Sequence, residues 1–372
     1  MRVLVAGITG QLGHGLVEVA AEHDVELVPI TRRVGRRDAK ARLGRMFRDA
    51  PELAERAIEG DVTAPYWGLS APRVRRLAGE VDAVLDIAGE TNWAAPTRRL
   101  HAVNVLGALY GQQLAAAIGE HGETPLFCYA SSIHAAGAVR GQVSEQPFGA
   151  SGERTAYEQS KWLAERRLLD AGRTIPTAIA RIGGLVGNSV TGATAKRNSL
   201  YMLADRWDSM PGGLMPFVRR GRVDMLPRDQ AARLLLGMIQ RLRAEPPGEP
   251  AIAHVCAGEA APTTDALLAA IDYVAEGRVP SRRRIPVPAR ALVWSSNNLD
   301  RLRAFPAAEQ NLLVGLRYLA LDRVFERARM ASLVDGPLPQ PTAEQLARLA
   351  FETEAAGPAP LAGDMVLARF AG

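Results

Sequence analysis

The stretch "VLVAGITGQLGHGL" sets Gly7, Gly10 and Gly13 in a G-x-x-G-x-x-G array, directly after an apolar, β-branched run and at the start of a helical pattern. Few local features restrict a fold more. Glycine is required where a chain turns with positive φ, and where backbone must pass close to another backbone or to a ligand. A strand that ends in such a turn and feeds a helix is the opening unit of a parallel sheet. The helix N-terminus then presents unpaired N–H groups and a positive dipole end, which suit a diphosphate. A plain tight turn would also use glycine, but the flanking strand and helix favour the phosphate loop.

The same rhythm runs on through the first 190 residues. Strands read over 2–7, 25–32, 83–89, 126–132 and 177–184, with a further short one before Asp61. Longer amphipathic stretches such as 97–122 lie between them with apolar residues at helical spacing. Near-continuously apolar strands alternating with helices predict a doubly wound α/β fold, a Rossmann-type parallel sheet covered on both faces. After residue 190 the chain becomes loop-rich, as in "NSVTGATAK" and "DSMPGGLMPFVRRG". A strand at 222–226, a helix from about 228 and a strand at 251–258 are expected to return to the sheet. The expected division is a dinucleotide-binding domain over 1–190, rejoined by 222–258. A smaller, mostly helical substrate cap would take 191–221 and 259–372.

Composition excludes several classes. Of 372 residues 47% are hydrophobic and 23% charged, which is ordinary for a globular chain. The net charge of +5 comes from arginine, since Lys40, Lys161 and Lys196 are the only lysines, and this bias reads as genome composition rather than nucleic-acid binding. Cys128 and Cys256 lie far apart in apolar runs and read as buried thiols, and the histidines show no ligand spacing, so no metal is expected. No apolar run approaches the roughly 18 residues of a membrane span. A chain that opens on a strand at residue 2 is expected to lack a signal peptide, to be cytoplasmic, and to be free-standing.

The end of the second strand reports on the cofactor. A carboxylate there grips a ribose 2′-hydroxyl, whereas an arginine fork accepts a 2′-phosphate. Here "ITRRVGRR" supplies Arg32, Arg33, Arg36 and Arg37 before the first acid, Asp38. This pattern predicts NADPH, with Arg32 and Arg33 as its ligands. An arginine-rich exposed loop is the competing explanation. Asp61, in "EGDVT", is placed to take the adenine amino group.

"TAYEQSKWLAE" sets Tyr157 and Lys161 at i and i+4, on one helix face. A phenol is a poor acid at neutral pH, and a nearby cation makes its proton easier to move. Ser131 and Ser132 close the strand before, where catalytic groups of open α/β sheets gather. Ser132 can donate to a substrate oxygen as charge develops on it, and Ser131 reads as the cap of the following turn. His134 reads as a turn or core histidine.

These residues in this order resemble the extended short-chain dehydrogenases/reductases. The resemblance implies Tyr157 as general acid, Lys161 on the nicotinamide ribose lowering the phenol's pKa, and Ser132 orienting the carbonyl. "GDVTAPYWGLS" (60–70), "VDAVLDIAGETNW" (81–93), "LHAVNVLGALY" (100–110) and "RVDMLPRDQAA" (222–232) narrow it to the thioester-reductase and fatty-acyl-CoA-reductase branch, over about 1–260. Asp86 stands where that branch commonly has histidine, Gly89 where it has alanine and Ile182 where it has proline.

What the resemblance implies is reduction of an acyl thioester by NADPH to the aldehyde, or on to the alcohol. The implied cofactor set is Gly7, Thr9, Gly10, Gln11, Leu12, Gly13, Arg32, Arg33, Asp61, Val62, Ala88, Gly89, Asn104, Tyr157 and Lys161. Glu90, Thr91, Asn92 and Ser132 would face the substrate. An acyl or peptidyl carrier protein is the implied macromolecular partner, met by arginines at 219, 220, 222 and 282–284, with no nucleic acid or membrane involved. The state would be a monomer, or a homodimer through helices near 97–118 and 155–171. A nucleotide-sugar epimerase or dehydratase, a hydroxysteroid-type dehydrogenase and a silent dinucleotide sensor are the alternatives.

Overall fold

A computed structural model of the chain describes residues 1–93, 95–150, 154–171, 175–197, 200–201, 204, 214–218, 220–275, 283–288, 318 and 321–351. Among these, seven strands form one sheet: β1 (Arg2–Ala6), β2 (Glu26–Thr31), β3 (Ile58–Glu59), β4 (Ala83–Asp86), β5 (Leu126–Ser132), β6 (Thr177–Ile182) and β7 (Ala251–Val255). Their order is β3-β2-β1-β4-β5-β6-β7, and every pairing is parallel. The doubly wound expectation is met. Every residue of β4, β5, β6 and β7 is buried, because helices cover both faces and leave neither for polar side chains.

The main covering helices are α1 (Gln11–Val19), α2 (Ala39–Met46), α3 (Gly107–Gly119), α4 (Ala156–Ala171) and α5 (Arg228–Ala244). Side-chain alternation splits the core in two. Cys128 and Ala130 of β5 join Leu16, Leu43 and Met238 on one face, while Phe127 and Tyr129 join Leu114, Ala164 and Leu168 on the other. Strand order reverses between β1 and β4, so a crevice opens beyond their carboxyl ends.

Two local expectations need correcting. The strand expected over 222–226 forms as Met225–Pro227 and pairs with Gly184–Val186, outside the large sheet. The reason is Asp224, whose carboxylate accepts the Ala257 and Gly258 N–H groups and so draws this segment across the end of β7. The stretch 97–122 is not one α-helix: Thr97–Leu100 leads into a π-turn over His101–Leu106 before α3. "GDVTAPYWGLS", read only as a turn at Asp61 and a family motif, also holds a buried anchor. Tyr66, Trp67 and Gly68 take φ of 53°, 55° and 75° in succession, and the fully buried Trp67 donates from Nε1 to Gly107 O at 3.0 Å.

A third core lies beyond the crevice. Val186, Tyr201 and Val223 pack there with Leu267, Leu268 and Ile271 of α6 (Thr264–Val274) and Leu346 and Leu349 of α7 (Ala343–Phe351). No helix among the described residues is long and apolar enough to cross a membrane.

Candidate active site

The phosphate loop sits at the crevice mouth. Gly7 has φ +96°, and a Cβ there would lie 2.5 Å from Ala88 N, so only glycine lets β1 turn against the end of β4. At Gly13 a Cβ would come within 2.1 Å of Ile8 O, which fixes α1 tightly on its own loop. The N-cap of α1 is Gly10, without a side-chain cap, and no acid occupies the first turn. Its N–H groups and dipole are therefore left for an anion. Leu12 turns into the core. Gln11 is engaged elsewhere: Nε2 donates to Val186 O at 2.9 Å and Oε1 accepts Ala195 N–H at 2.8 Å. Only the backbone of these two residues is available to a ligand at the loop. Thr9 is half-buried in it.

At the end of β2 the residues face solvent. Arg32 is exposed, and its side chain makes no hydrogen bond among the described residues. Arg33 pairs with Glu59 at 3.1 Å. Asp38 caps α2 by accepting Ala41 N–H at 2.9 Å. Asp61 closes a local turn on Thr63, and Val62 lies against Gly107.

The other arm of the crevice is dry. Thr155 and Glu158 form a capping box, with Glu158 Oε2 accepting Thr155 N–H at 2.7 Å and Thr155 Oγ1 accepting Glu158 N–H at 3.3 Å. That box fixes the first turn of α4, and with it Tyr157, which is buried beside Ala95 and Leu100. Ser132 ends β5 and, like Tyr157, is buried. Burial pushes the phenol up to about 12, the nearby Ser132 hydroxyl partly offsets this, and the Glu158 charge adds to the rise. The expected lowering by Lys161 does not appear, because the lysine is seated elsewhere. Its Nζ donates to Tyr129 Oη at 3.1 Å and Ala130 O at 2.9 Å. Burial lowers the Lys161 pKa, and Asp86 and then Glu165 oppose that fall.

Ser131 is a second correction: its hydroxyl donates to Glu165 on α4, and the turn after β5 is capped instead by Ser132, which accepts His134 N–H at 3.1 Å. His134 is a turn residue, with Nδ1 3.0 Å from Arg323 Nη2 and its ring 3.8 Å from that of Tyr318. Trp93 stands 6.5 Å from the Tyr157 ring and 4.9 Å from Tyr318, ring centre to ring centre, so the phenol lies in an aromatic recess.

Asn104 binds the two arms together. Its Oδ1 accepts Glu90 N–H at 2.8 Å, while Nδ2 donates to Ser160 Oγ at 2.9 Å, which donates on to Tyr157 O at 2.7 Å. Tyr129 Oη donates to Asn104 O at 3.1 Å. Gly89 lies beside Lys161: a Cβ on it would be 3.5 Å from Nζ. The Glu90 carboxylate is paired with Arg99 and accepts Asn92 N–H, and Thr91 Oγ1 accepts from Lys196 at 3.0 Å. Arg222 donates to Ala261 O at 2.7 Å, whereas Arg220 is exposed. Arg219, Arg282 and the side chains of Arg283 and Arg284 lie outside the described residues.

Sequence reasoning missed Tyr129, Ser160 and Glu59. The first two reach the site only through β5–α4 packing and carry no motif, and Glu59 needs the β2–β3 pairing. The capping box was readable as T-x-x-E.

With this geometry in view, residues 5–235 match the NAD-binding male sterility protein family. The chain belongs to that family. It is 31% identical over 242 residues to a subunit of linear gramicidin synthase from Brevibacillus parabrevis, covering 62% of this chain and 5% of that one. It is 30% identical over 197 residues to the L-2-aminoadipate reductase large subunit of Penicillium chrysogenum, covering 48% and 14%. The chain therefore spans only a small share of these relatives' length. Among solved structures, the terminal R domain from the myxalamid PKS-NRPS biosynthetic pathway shares the fold with a TM-score of 0.72 at 21% identity, over 94% of this chain and 89% of that one. A UDP-glucose-4-epimerase from Stenotrophomonas maltophila shares it at 0.66 and 16%, over 95% and 97%. The chain thus shares its fold with both of these structures.

Proposed function

We propose that this domain is an NADPH-dependent reductase of acyl thioesters, carried on CoA or on the phosphopantetheine of a carrier protein, giving the aldehyde or, by a second round, the alcohol. The observation that carries this reading is the burial together of Ser132 at the end of β5 and of Tyr157 and Lys161 one turn apart on α4. The names of the gramicidin synthase and aminoadipate reductase relatives support the thioester assignment.

The residues fit the cofactor. The uncapped N-terminus of α1, with Gly7, Thr9, Gly10, Gly13 and the backbone of Gln11 and Leu12, would hold the diphosphate. Arg32 and Arg33 would take the 2′-phosphate and Asp61 with Val62 the adenine; Asp38 is committed to capping α2. Ala88, Gly89, Asn104, Tyr157 and Lys161 would hold the nicotinamide ribose side. NADPH, when bound, supplies the hydride that the thioester carbonyl carbon accepts.

Ser132 then hydrogen-bonds the carbonyl oxygen, and Tyr157 gives that oxygen its proton as charge develops. A phenol held at about 12 keeps its proton at neutral pH, so it is poised as a donor. The Lys161 ammonium, held by Tyr129 Oη and Ala130 O, would bind the nicotinamide ribose. The hemithioacetal collapses as its hydroxyl proton returns to Tyr157, and the departing thiolate is protonated from water. Glu90, Thr91 and Asn92 would form the substrate side of the mouth; 1–190 and 222–258 would make the dinucleotide domain, and much of the cap assigned to 191–221 and 259–372 lies outside the described residues. The domain would work in the cytoplasm, as a monomer or homodimer.

Epimerases share this architecture, which makes nucleotide-sugar chemistry the second reading. The two readings separate in one assay. With a panel of acyl-CoA and acyl-pantetheine thioesters, NADPH is expected to be oxidised with release of thiol, one NADPH per thiol for the aldehyde and two for the alcohol. No oxidation with any thioester, together with turnover of a nucleotide sugar, would overturn the reductase.

A further inference from the structure

Asp86, the last residue of β4, is fully buried. Its Oδ1 accepts Ala88 N–H at 3.0 Å, and Oδ2 has no hydrogen-bond partner. An unpaired buried carboxylate oxygen is costly and calls for a compensating charge. Asp86 is the register partner of Tyr129 on β5, so the two side chains share one face of the sheet. The Lys161 ammonium sits over that same face, 4.6 Å from the Tyr129 ring centre. Two of its protons go to Tyr129 Oη and Ala130 O, which leaves a third.

The competing carboxylate, Glu165 on α4, is already committed. Both its oxygens take the Arg181 guanidinium, and Oε1 also accepts from Ser131. The remaining titratable groups facing the pair are Tyr129 from β5 and Tyr157 from α4, while Cys128 lies on the opposite face of β5; burial and the Asp86 charge raise both Tyr129 and Cys128 so that they stay neutral.

We infer that Asp86, on the same face and beyond direct ion-pair contact, is the through-space counter-ion of Lys161, a positioning residue that keeps the lysine charged while Tyr129 and Ala130 seat it. Burial raises Asp86 while Lys161 opposes that rise, and burial lowers Lys161 while Asp86 opposes that fall, so each charge sustains the other. For catalysis the idea rests on the reductase reading, in which the charged Lys161 holds the nicotinamide ribose. Activity should then fall on the alkaline side as Lys161 loses its proton.

The chain has three lysines, so NMR of protein labelled with carbon-13 at lysine Cε resolves Lys161 from Lys40 and Lys196. Asp86→Asn keeps the acceptor for Ala88 N–H. It should lower the Lys161 midpoint by about one pH unit or more and leave the other two lysines unmoved. The alkaline limb of kcat/KM should move down by the same amount. In the wild type the Lys161 signal should also respond at a second, lower pH as Asp86 titrates, which needs no variant. An unchanged Lys161 midpoint in Asp86→Asn, or a single wild-type step at an ordinary lysine value, overturns the inference. If the NMR shift appears but no thioester is reduced, the counter-ion role stands and the reductase reading fails.

Discussion

The two arms of the crevice are built on opposite principles. At the end of β2, Arg32 stands in solvent, and Arg33 and Glu59 pair at the surface with side chains about half exposed. Under β5 and α4, Ser132, Tyr157, Lys161 and Asn104 are buried, and Asn104 is joined through Ser160 to Tyr157 and through Tyr129 to Lys161 by hydrogen bonds. Water screens charges at the first arm, so recognition there is graded and individual contacts are weak. At the second arm, low dielectric makes each contact strong and each loss expensive. The same fold therefore keeps ligand choice adjustable and proton transfer rigid.

The sharpest way to break this contrast is Tyr157→Phe. Turnover should fall by roughly 100-fold or more while NADPH binding, measured by fluorescence titration, stays normal. A fully active variant would remove Tyr157 from the mechanism. Next in size is Arg181→Met beneath the dry arm, which strands the Glu165 charge. The pair meets at 2.8 Å with side chains 0% and 2% exposed. Breaking it should cost about 3–5 kcal/mol in urea unfolding, whereas Arg33→Met at the wet arm should cost no more than about 1 kcal/mol.

A pH titration separates the arms again. Burial, and then the Arg181 charge, push His254 down to about 3 from its ordinary 6.5. The unfolded chain binds a proton there that the folded chain refuses, so stability is lost as pH falls from about 6.5 towards 3. Melting temperature should drop across that window, and His254→Gln should flatten the slope. The smallest effect belongs to the rim. Arg32→Ala with Arg33→Ala should raise the KM for NADPH by about tenfold and leave that for NADH nearly unchanged, as expected for lost charge-assisted bonds to a 2′-phosphate. Equal losses for both cofactors would deny the arginines that role.

Local signals determined a good deal. Apolar strands alternating with helices, and glycines where backbone approaches backbone, are properties of short segments, so the sheet, the phosphate loop and the Tyr157–Lys161 spacing were legible in the sequence. The roles of two adjacent serines were not legible, and the cap was assigned to the wrong one: Ser132 is the cap, while Ser131 reaches Glu165. Tertiary structure alone decided the rest. The register of β4 on β5 brings Asp86 beside Tyr129, and the packing of α4 on β5 seats Lys161 there rather than on Tyr157. Those contacts join residues far apart in sequence. Their strength comes from burial, which exists only once the helices have closed over the sheet.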